Sequence, residues 1–201
     1  GAIAGDRDSA YRFKGGGQTA WSNDGLQAPR EMSTEVWFRS DSDRGGVIVA
    51  YGDSRDTASE EVNYATYLGD DGRIRFGVQD FSRHVLTSSR SYNDGAWHHV
   101  VSTLDWATGQ KLYVDGALVA SDSTVKHGRD LKGFWRLGSE SLAGWPDRPT
   151  SDGLNADIDE VATYQRALPA SRIAAHFEAG TGGTGGANQF PTASFTSKTT
   201  D

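Results

Sequence analysis

The stretch Asp94-Gly95-Ala96-Trp97-His98-His99-Val100-Val101 carries the strongest fold information in this chain. It is followed by Lys111-Leu112-Tyr113-Val114-Asp115-Gly116 and later by Ile158-Asp159-Glu160-Val161. All three segments are rich in aromatic and β-branched residues, which favour strands. Asp-Gly supplies the positive φ angles of a tight hairpin turn, so the stretch predicts short antiparallel β-strands.

The chain up to residue 168 continues this β-type pattern. Short apolar runs alternate with turn residues, which is typical of a β-sandwich or barrel. The predicted strands are Ala10–Phe13, Ser33–Arg39, Gly46–Tyr51, Ala65–Leu68, Ile74–Val78, His84–Thr87, Trp97–Leu104, Gln110–Val114, Ala117–Ser121, Phe134–Leu137 and Leu154–Thr163. Asp71-Gly72 and Asp115-Gly116 are predicted type I′ turns. Pro169–Ala179 is the single predicted helix, with Pro169 at its first position.

Five landmarks in this pattern resemble the laminin G-like family of the concanavalin A-like superfamily. They are Tyr11–Phe13, Glu35–Phe38, Gly95–Val101, Leu112–Gly116 and Ile158–Val161. The resemblance implies an all-β domain over residues 1–180, folded as a two-sheet antiparallel jelly-roll sandwich with one short C-terminal helix. It also implies a lectin-like recognition or adhesion module, bound to a glycan or a surface protein, rather than an enzyme.

Composition narrows the range of partners. The 201 residues carry a net charge of −7 and contain no cysteine. The negative charge argues against nucleic acid or an anionic membrane surface as the partner, and the lack of cysteine excludes a disulfide framework. No apolar stretch approaches the ~20 residues of a membrane span, so we expect no membrane insertion. We also expect the module to be monomeric.

The composition changes after Gly180. Residues 181–187 are predicted to be a flexible Gly/Thr-rich linker. Residues 188–201 resemble the truncated start of a polycystic kidney disease-type repeat, a small β-sandwich common in bacterial secreted enzymes and surface proteins. This resemblance implies that the chain belongs to a multidomain bacterial protein that is secreted or displayed on the cell surface.

Asp159 is the main candidate for a metal ligand. Strand alternation places it on the same face as Val161, and if Val161 faces the core, Asp159 is drawn toward the sandwich interior. A carboxylate there needs a cation or several hydrogen bonds, because an unpaired buried charge is costly. The alternative to a cation is an ion pair with an arginine such as Arg12, or a set of backbone N–H donors.

Related jelly-roll lectins and β-glucanases imply that this cation is a structural calcium ion. By that resemblance Asp159 supplies a side-chain oxygen, and Asp8 or Asp6 beside the first strand is its partner. A carbonyl from the loop that begins at Asp43 and ends at Gly46 completes an oxygen shell of the kind that Ca²⁺ accepts.

Two loops are candidates for ligand binding, because lectin-type sites combine an aromatic platform with a few polar groups. Trp145 is the predicted platform, with Asp147 and Arg148 as polar contacts. The open alternative is that Trp145 folds back as a plug over the sandwich edge. Asp53 and Arg55 form a predicted second rim in the loop over residues 53–63, with a solvated charge run as the alternative.

Two other functions stay open beside recognition: a structural spacer that positions a neighbouring domain, and a glycoside hydrolase. A retaining glycosidase needs two carboxylates ~5–5.5 Å apart. By resemblance, β-glucanases of this fold carry the motif Glu-x-Asp-x-x-Glu on a middle strand, and this sequence lacks it. The sequence therefore predicts a non-catalytic module.

Overall fold

The computed structural model describes residues 1–3 and 8–182 and the backbone of residues 196–198. In chain order the elements are β1 Tyr11–Lys14, β2 Thr19–Trp21, β3 Leu26–Gln27, β4 Met32–Arg39, β5 Gly46–Gly52, β6 Val62–Leu68, β7 Arg73–Gln79, β8 Arg83–Ser91, β9 Trp97–Asp105, β10 Gly109–Val114, β11 Ala117–Asp122, β12 Lys132–Leu137, β13 Asn155–Tyr164, α1 Ala170–Gly180 and β14 Thr196–Lys198. They form two antiparallel sheets and one short helix, so the predicted sandwich is confirmed.

The smaller sheet has six strands in the order β1-β13-β4-β9-β10-β11. Its β10–β11 hairpin turns at Asp115 and Gly116, whose φ angles are 52° and 76°, as a type I′ turn requires. The type I′ turn predicted at Asp71-Gly72 is wrong. Only Gly72 of this pair has a positive φ angle, because four residues, 69–72, connect β6 to β7.

The larger sheet has the order β14-β2-β12-β5-β6-β7-β8, and the two-residue strand β3 also pairs with β12. β2 and β3 escape sequence prediction because two or three residues carry no readable alternation. β14 pairs with β2 at the edge of this sheet. The rest of the predicted polycystic kidney disease-type segment, and most of the predicted linker, lie outside the described residues.

The main core fills the space between the two sheets. In β4, Met32, Val36 and Phe38 face this core, whereas Glu35 and Trp37 face outward, as strand alternation requires. All but the last residue of β4 are nevertheless buried, since the outer face of the smaller sheet is itself covered.

Helix α1 provides this cover. Its Phe177 ring stacks on Trp37 at a centroid distance of 5.8 Å, and Ile173 packs against Val101 and Tyr113. Pro169 is the N-cap with extended φ and ψ of −70° and 149°, so the prediction that it is the first helical residue is wrong by one position. In the described part of the chain no helix is long and apolar enough to cross a membrane.

Candidate functional site

A β-bulge at Glu160 decides where Asp159 points. Glu160 has a φ angle of 49°, and the register between β13 and β4 shifts between Asp159 and Ala162. Ile158 packs in the core and Val161 packs against it, so Asp159 lies on the outer face of the sheet. The prediction that Asp159 shares a face with Val161 and points inward is therefore wrong, because the bulge inserts one extra residue and reverses the alternation.

Asp159 is 7% exposed because the N-terminal residues cover it. Its Oδ2 accepts a hydrogen bond from the Ala2 N–H at 2.5 Å, and its Oδ1 accepts one from the Glu160 N–H at 3.1 Å. Arg12 pairs with Asp157 instead, at 3.3 Å. Of the alternatives to a cation, the structure thus shows backbone donors rather than the arginine.

An acidic cluster forms around this residue. Carboxylate oxygens of Asp8, Asp159 and Glu160 lie within 4.8 Å of one another, so the predicted Asp8–Asp159 pair comes together and Glu160 joins it. Asp6 lies outside the described residues. The predicted Asp43 is not in the cluster, because its loop is attached elsewhere: the Gly45 N–H donates to Asp70 Oδ1 at 2.8 Å.

The donor set of this acidic cluster fits a hard cation. Three carboxylates offer only oxygen atoms, which are the ligands that Ca²⁺ prefers. Asp159 already receives two backbone N–H groups, but each carboxylate oxygen has a second lone pair that remains for a metal ion. Asp8, Asp159 and Glu160 are therefore the residues that would hold calcium here.

Trp145, the predicted platform, is buried with 4% exposure. It packs with Leu142 and Tyr67 on the outer face of the larger sheet. The ring lies directly over Gly77, where an added Cβ would come within 2.1 Å of it. A sugar ring cannot stack on a covered indole, so the structure corresponds to the alternative in which Trp145 folds back against the sandwich.

The polar residues predicted beside Trp145 are exposed. Asp147 Oδ2 lies 3.7 Å from Arg75 Nε, and Arg148 is exposed. In the second predicted rim, Asp53 Oδ1 accepts from the Glu60 N–H at 3.0 Å, and Arg55 pairs with its neighbour Asp56 at 3.3 Å. None of these residues lines the groove described next.

A groove of about 480 Å³ lies at the end of the sandwich where β4 begins and β9 ends. Four connections meet there: β3–β4, β7–β8, β9–β10 and β11–β12. The lining includes Arg30, Asp80, Phe81, Trp106 and residues 127–130. Because β7–β8 belongs to the larger sheet and β9–β10 to the smaller one, the groove spans both sheets.

Two exposed aromatic side chains characterise this groove. Phe81 at the β7–β8 turn is fully exposed, and Trp106 at the β9–β10 turn is 58% exposed. Trp106 stacks on His127 with a centroid distance of 5.6 Å and an interplanar angle of 16°. This contact fixes the indole ring, which is the property that an aromatic platform for a flat apolar ligand face needs.

Polar groups surround these aromatic rings. Asp80 Oδ1 accepts from the Ser82 N–H at 2.7 Å and lies 3.0 Å from His84 Nε2. Partial burial raises the pKa of Asp80, but the donors of Ser82 and His84 outweigh it and hold that pKa below its ordinary value. A carboxylate that stays ionised can accept hydrogen bonds from ligand hydroxyl groups.

Sequence reasoning missed this groove, although a signal was present. Phe81 and Trp106 fall outside every strand predicted from the sequence. Both stand in turns, in Asp80-Phe81-Ser82 and Asp105-Trp106-Ala107, where a large aromatic residue has no strand face to bury it. Aromatic residues inside polar turns were the available indication of an exposed platform.

These features define a lectin-like β-sandwich with an exposed aromatic groove. The chain belongs to the laminin G-type family described as the concanavalin A-like lectin/glucanases superfamily, whose model matches residues 13–174. The predicted family is thus confirmed, although nothing supports the second, polycystic kidney disease-type resemblance. No curated protein sequence matches the chain.

The solved structures that are similar to this chain include those of a pentraxin and of two botulinum neurotoxins. The heptameric SAP-like pentraxin of Limulus polyphemus has a TM-score of 0.66 and 17% identity, over 93% of this chain and 90% of the pentraxin. The receptor binding domain of botulinum neurotoxin D has a TM-score of 0.60 and 14% identity, over 88% of this chain and 45% of that one.

The third is botulinum neurotoxin type C, whose cell entry depends on interaction with two ganglioside molecules. It has a TM-score of 0.53 and 18% identity, over 74% of this chain and 35% of the toxin chain. This chain therefore spans less than half the length of the two toxin chains. At these identities the similarity shows the fold alone.

Proposed function

We propose that the protein is a non-catalytic carbohydrate-recognition module and that the aromatic groove is its binding site. The observation that carries the proposal is the pair of exposed rings, Phe81 and Trp106, at the mouth of one groove. A ligand that covers two exposed aromatic side chains gains free energy from the burial of apolar surface. Exposed apolar patches of this kind often mark ligand-binding grooves. The apolar C–H face of a sugar ring is such a ligand, and its hydroxyl groups suit the carboxylate of Asp80.

The matched family and the similar solved structures support a glycan as the ligand. The family is lectin-like, and the solved toxin structures include a receptor binding domain and a protein that interacts with gangliosides. Glycan recognition or adhesion is the function that agrees both with these comparisons and with the exposed aromatic rings of the groove. Secretion or surface display by a bacterium, a multidomain parent protein and a monomeric state belong to the same proposal and rest on the sequence.

Calcium is the second part of the proposal. We infer that Asp8, Asp159 and Glu160 hold a structural calcium ion, because three acidic side chains converge within 4.8 Å and like charges at this distance repel unless a cation neutralises them. The acidic cluster and the aromatic groove share no residue. The ion would stabilise the domain rather than contact the ligand.

A glycan array tests the binding site. The wild-type protein should bind a subset of glycans, and Phe81→Ala and Trp106→Ala should each weaken binding about tenfold or more, since covering one large apolar side chain contributes roughly 1.5–3 kcal/mol. Leu118→Ala is the matched control, because Leu118 is also exposed but does not line the groove.

Absence of binding across plant, bacterial and animal glycans would contradict the proposal and favour the structural spacer. Binding that survives both aromatic substitutions would place the site elsewhere. Turnover of a glycan, abolished by substitution of a carboxylate, would favour the glycoside hydrolase.

A further inference from the structure

Arg30 is an uncompensated charge on the wall of the groove. It lies on the β3–β4 connection, is exposed, and lines the groove beside the aromatic rings. Within the described part of the chain its guanidinium group has no hydrogen bond or ion pair. A guanidinium group carries five N–H donors in a planar fork that matches a carboxylate.

The backbone around Arg30 is held in place. The Ala28 N–H donates to the Leu131 carbonyl at 2.7 Å, and the Tyr64 hydroxyl donates to the Pro29 carbonyl at 2.8 Å. The connection is thus attached to both β6 and the β11–β12 segment. A side chain on a fixed backbone loses less entropy when it binds a ligand, so Arg30 is partly preorganised.

The other charged groups of the lining already have partners. The Arg129 guanidinium pairs with Glu61, Asp80 is bound by Ser82 and His84, and the Asp130 carboxylate accepts from the Gln27 amide. Among the described residues of the lining, Arg129 thus has its charge paired with a carboxylate, whereas Arg30 offers an incoming ligand a positive charge that no protein carboxylate pairs.

We propose that the groove selects saccharides that carry a carboxylate, and that Arg30 binds this carboxylate while the rings of Phe81 and Trp106 cover the sugar. The inference rests on the proposed function, because it assumes that the groove binds glycans. It adds the chemical class of ligand: uronate- or sialate-bearing glycans rather than neutral ones.

The carboxylate is favoured over other anions for a geometric reason. Two parallel N–H···O bonds join a guanidinium fork to a planar carboxylate, and such charge-assisted pairs are roughly twice as strong as neutral hydrogen bonds. Sulfate esters share the negative charge but are not planar, so they serve as a separate arm of the test.

The experiment measures affinities on an array of matched pairs. Each uronate- or sialate-bearing glycan is printed beside its carboxyl-reduced derivative, and sulfated glycans of the same backbones are added. We expect the wild-type protein to bind the carboxylate member about tenfold more tightly, since hydrogen bonds to charged groups contribute in this range. This preference should weaken as salt increases, because the pair is partly exposed to solvent.

Substitutions identify the residue. The Arg30→Gln variant should bind the carboxylated and the carboxyl-reduced glycans about equally well. The Arg30→Lys variant should keep part of the preference, because lysine keeps the charge but lacks the planar fork of donors. Arg148→Gln, an exposed arginine outside the groove, should keep the full preference. Unchanged melting temperatures would show that all three variants are folded.

The outcomes separate the two proposals. If the wild-type protein binds carboxylated and reduced members equally, the inference fails while glycan binding stands. The inference also fails if the preference survives Arg30→Gln, or if sulfated glycans bind and carboxylated ones do not. If the wild-type protein binds no glycan at all, the proposed function itself fails.

Discussion

Glu35 lies on the outward face of β4 beneath helix α1, and the residue is 4% exposed. His99 Nε2 lies 2.7 Å from Oε1, and the Tyr164 hydroxyl donates to Oε2 at 2.7 Å. His176 of α1 approaches the same carboxylate at 2.8 Å. A charge that would be costly in the interior is thereby satisfied by three side chains, one of which attaches the helix to the sheet.

These contacts make folding stability depend on pH. Burial raises the pKa of Glu35, but the hydrogen bonds and imidazoles around it outweigh burial and leave the pKa below its ordinary value of 4.5. A lowered pKa means that the stabilisation is present above that ordinary value and is lost as the pH falls through the folded-state pKa.

We therefore expect the free energy of unfolding of the wild-type protein to decrease below about pH 4.5. Glu35→Gln should lower this free energy by roughly 1–3 kcal/mol at pH 7, because hydrogen bonds to a charged group are lost. The variant should also lose less on acidification. Urea unfolding between about pH 7 and pH 3 measures both effects.

Glu31→Gln is the control for this experiment, since Glu31 is exposed on the connection before the same strand. It should leave the pH profile unchanged. Parallel pH profiles of the wild-type protein and Glu35→Gln would show that Glu35 does not contribute to the acid sensitivity.

At the scale of elements, the segment between β12 and β13 acts as a cover for the larger sheet. Trp145 fills the space over Gly77, the Tyr67 hydroxyl donates to the Pro146 carbonyl at 2.7 Å, and Arg83 donates to the Gly144 carbonyl at 2.9 Å. This cover explains why β5 and β6 are buried on both faces.

Trp145→Ala should destabilise the protein by roughly 3–5 kcal/mol, because a large buried ring is removed and a cavity remains. Glycan binding by the folded fraction should be unchanged. Trp106→Ala is the matched comparison, with little change in stability and glycan binding weakened about tenfold or more. If Trp145→Ala instead abolished binding without a change in stability, Trp145 would be a ligand platform, as first predicted from the sequence.

The same elements show what sequence patterns can and cannot predict. Alternation located β4, β9 and β13, since burial on one face dictates every second residue. It fails at Glu160, because the positive φ angle there lies inside a strand, where no turn residue such as the Asp-Gly of the β10–β11 hairpin marks it in the sequence. The two exposed aromatic residues can be recognised from their polar turns, but their common groove cannot, since Phe81 and Trp106 line one groove only after the two sheets stack.

For the whole molecule, the acidic cluster joins the beginning of the described chain to its penultimate strand. Asp8 precedes β1, while Asp159 and Glu160 belong to β13, so the two parts are separated by about 150 residues of sequence. An ion held there would restrain the N-terminal segment on the outer face of the smaller sheet. Its contribution should appear as stability of the entire sandwich, because small single domains unfold cooperatively.

Removing calcium should therefore lower the melting temperature of the whole domain. At a calcium concentration 100 times the Kd, binding adds about 2.7 kcal/mol, which corresponds to a decrease of roughly 5–10 °C on treatment with EDTA for a domain of this size. Asp8→Asn and Asp159→Asn should remove the response to calcium. Asp43→Asn, outside the acidic cluster, should retain the full response. An unchanged melting temperature after exhaustive chelation would mean that backbone N–H groups alone satisfy Asp159, and that the domain is stable without the ion.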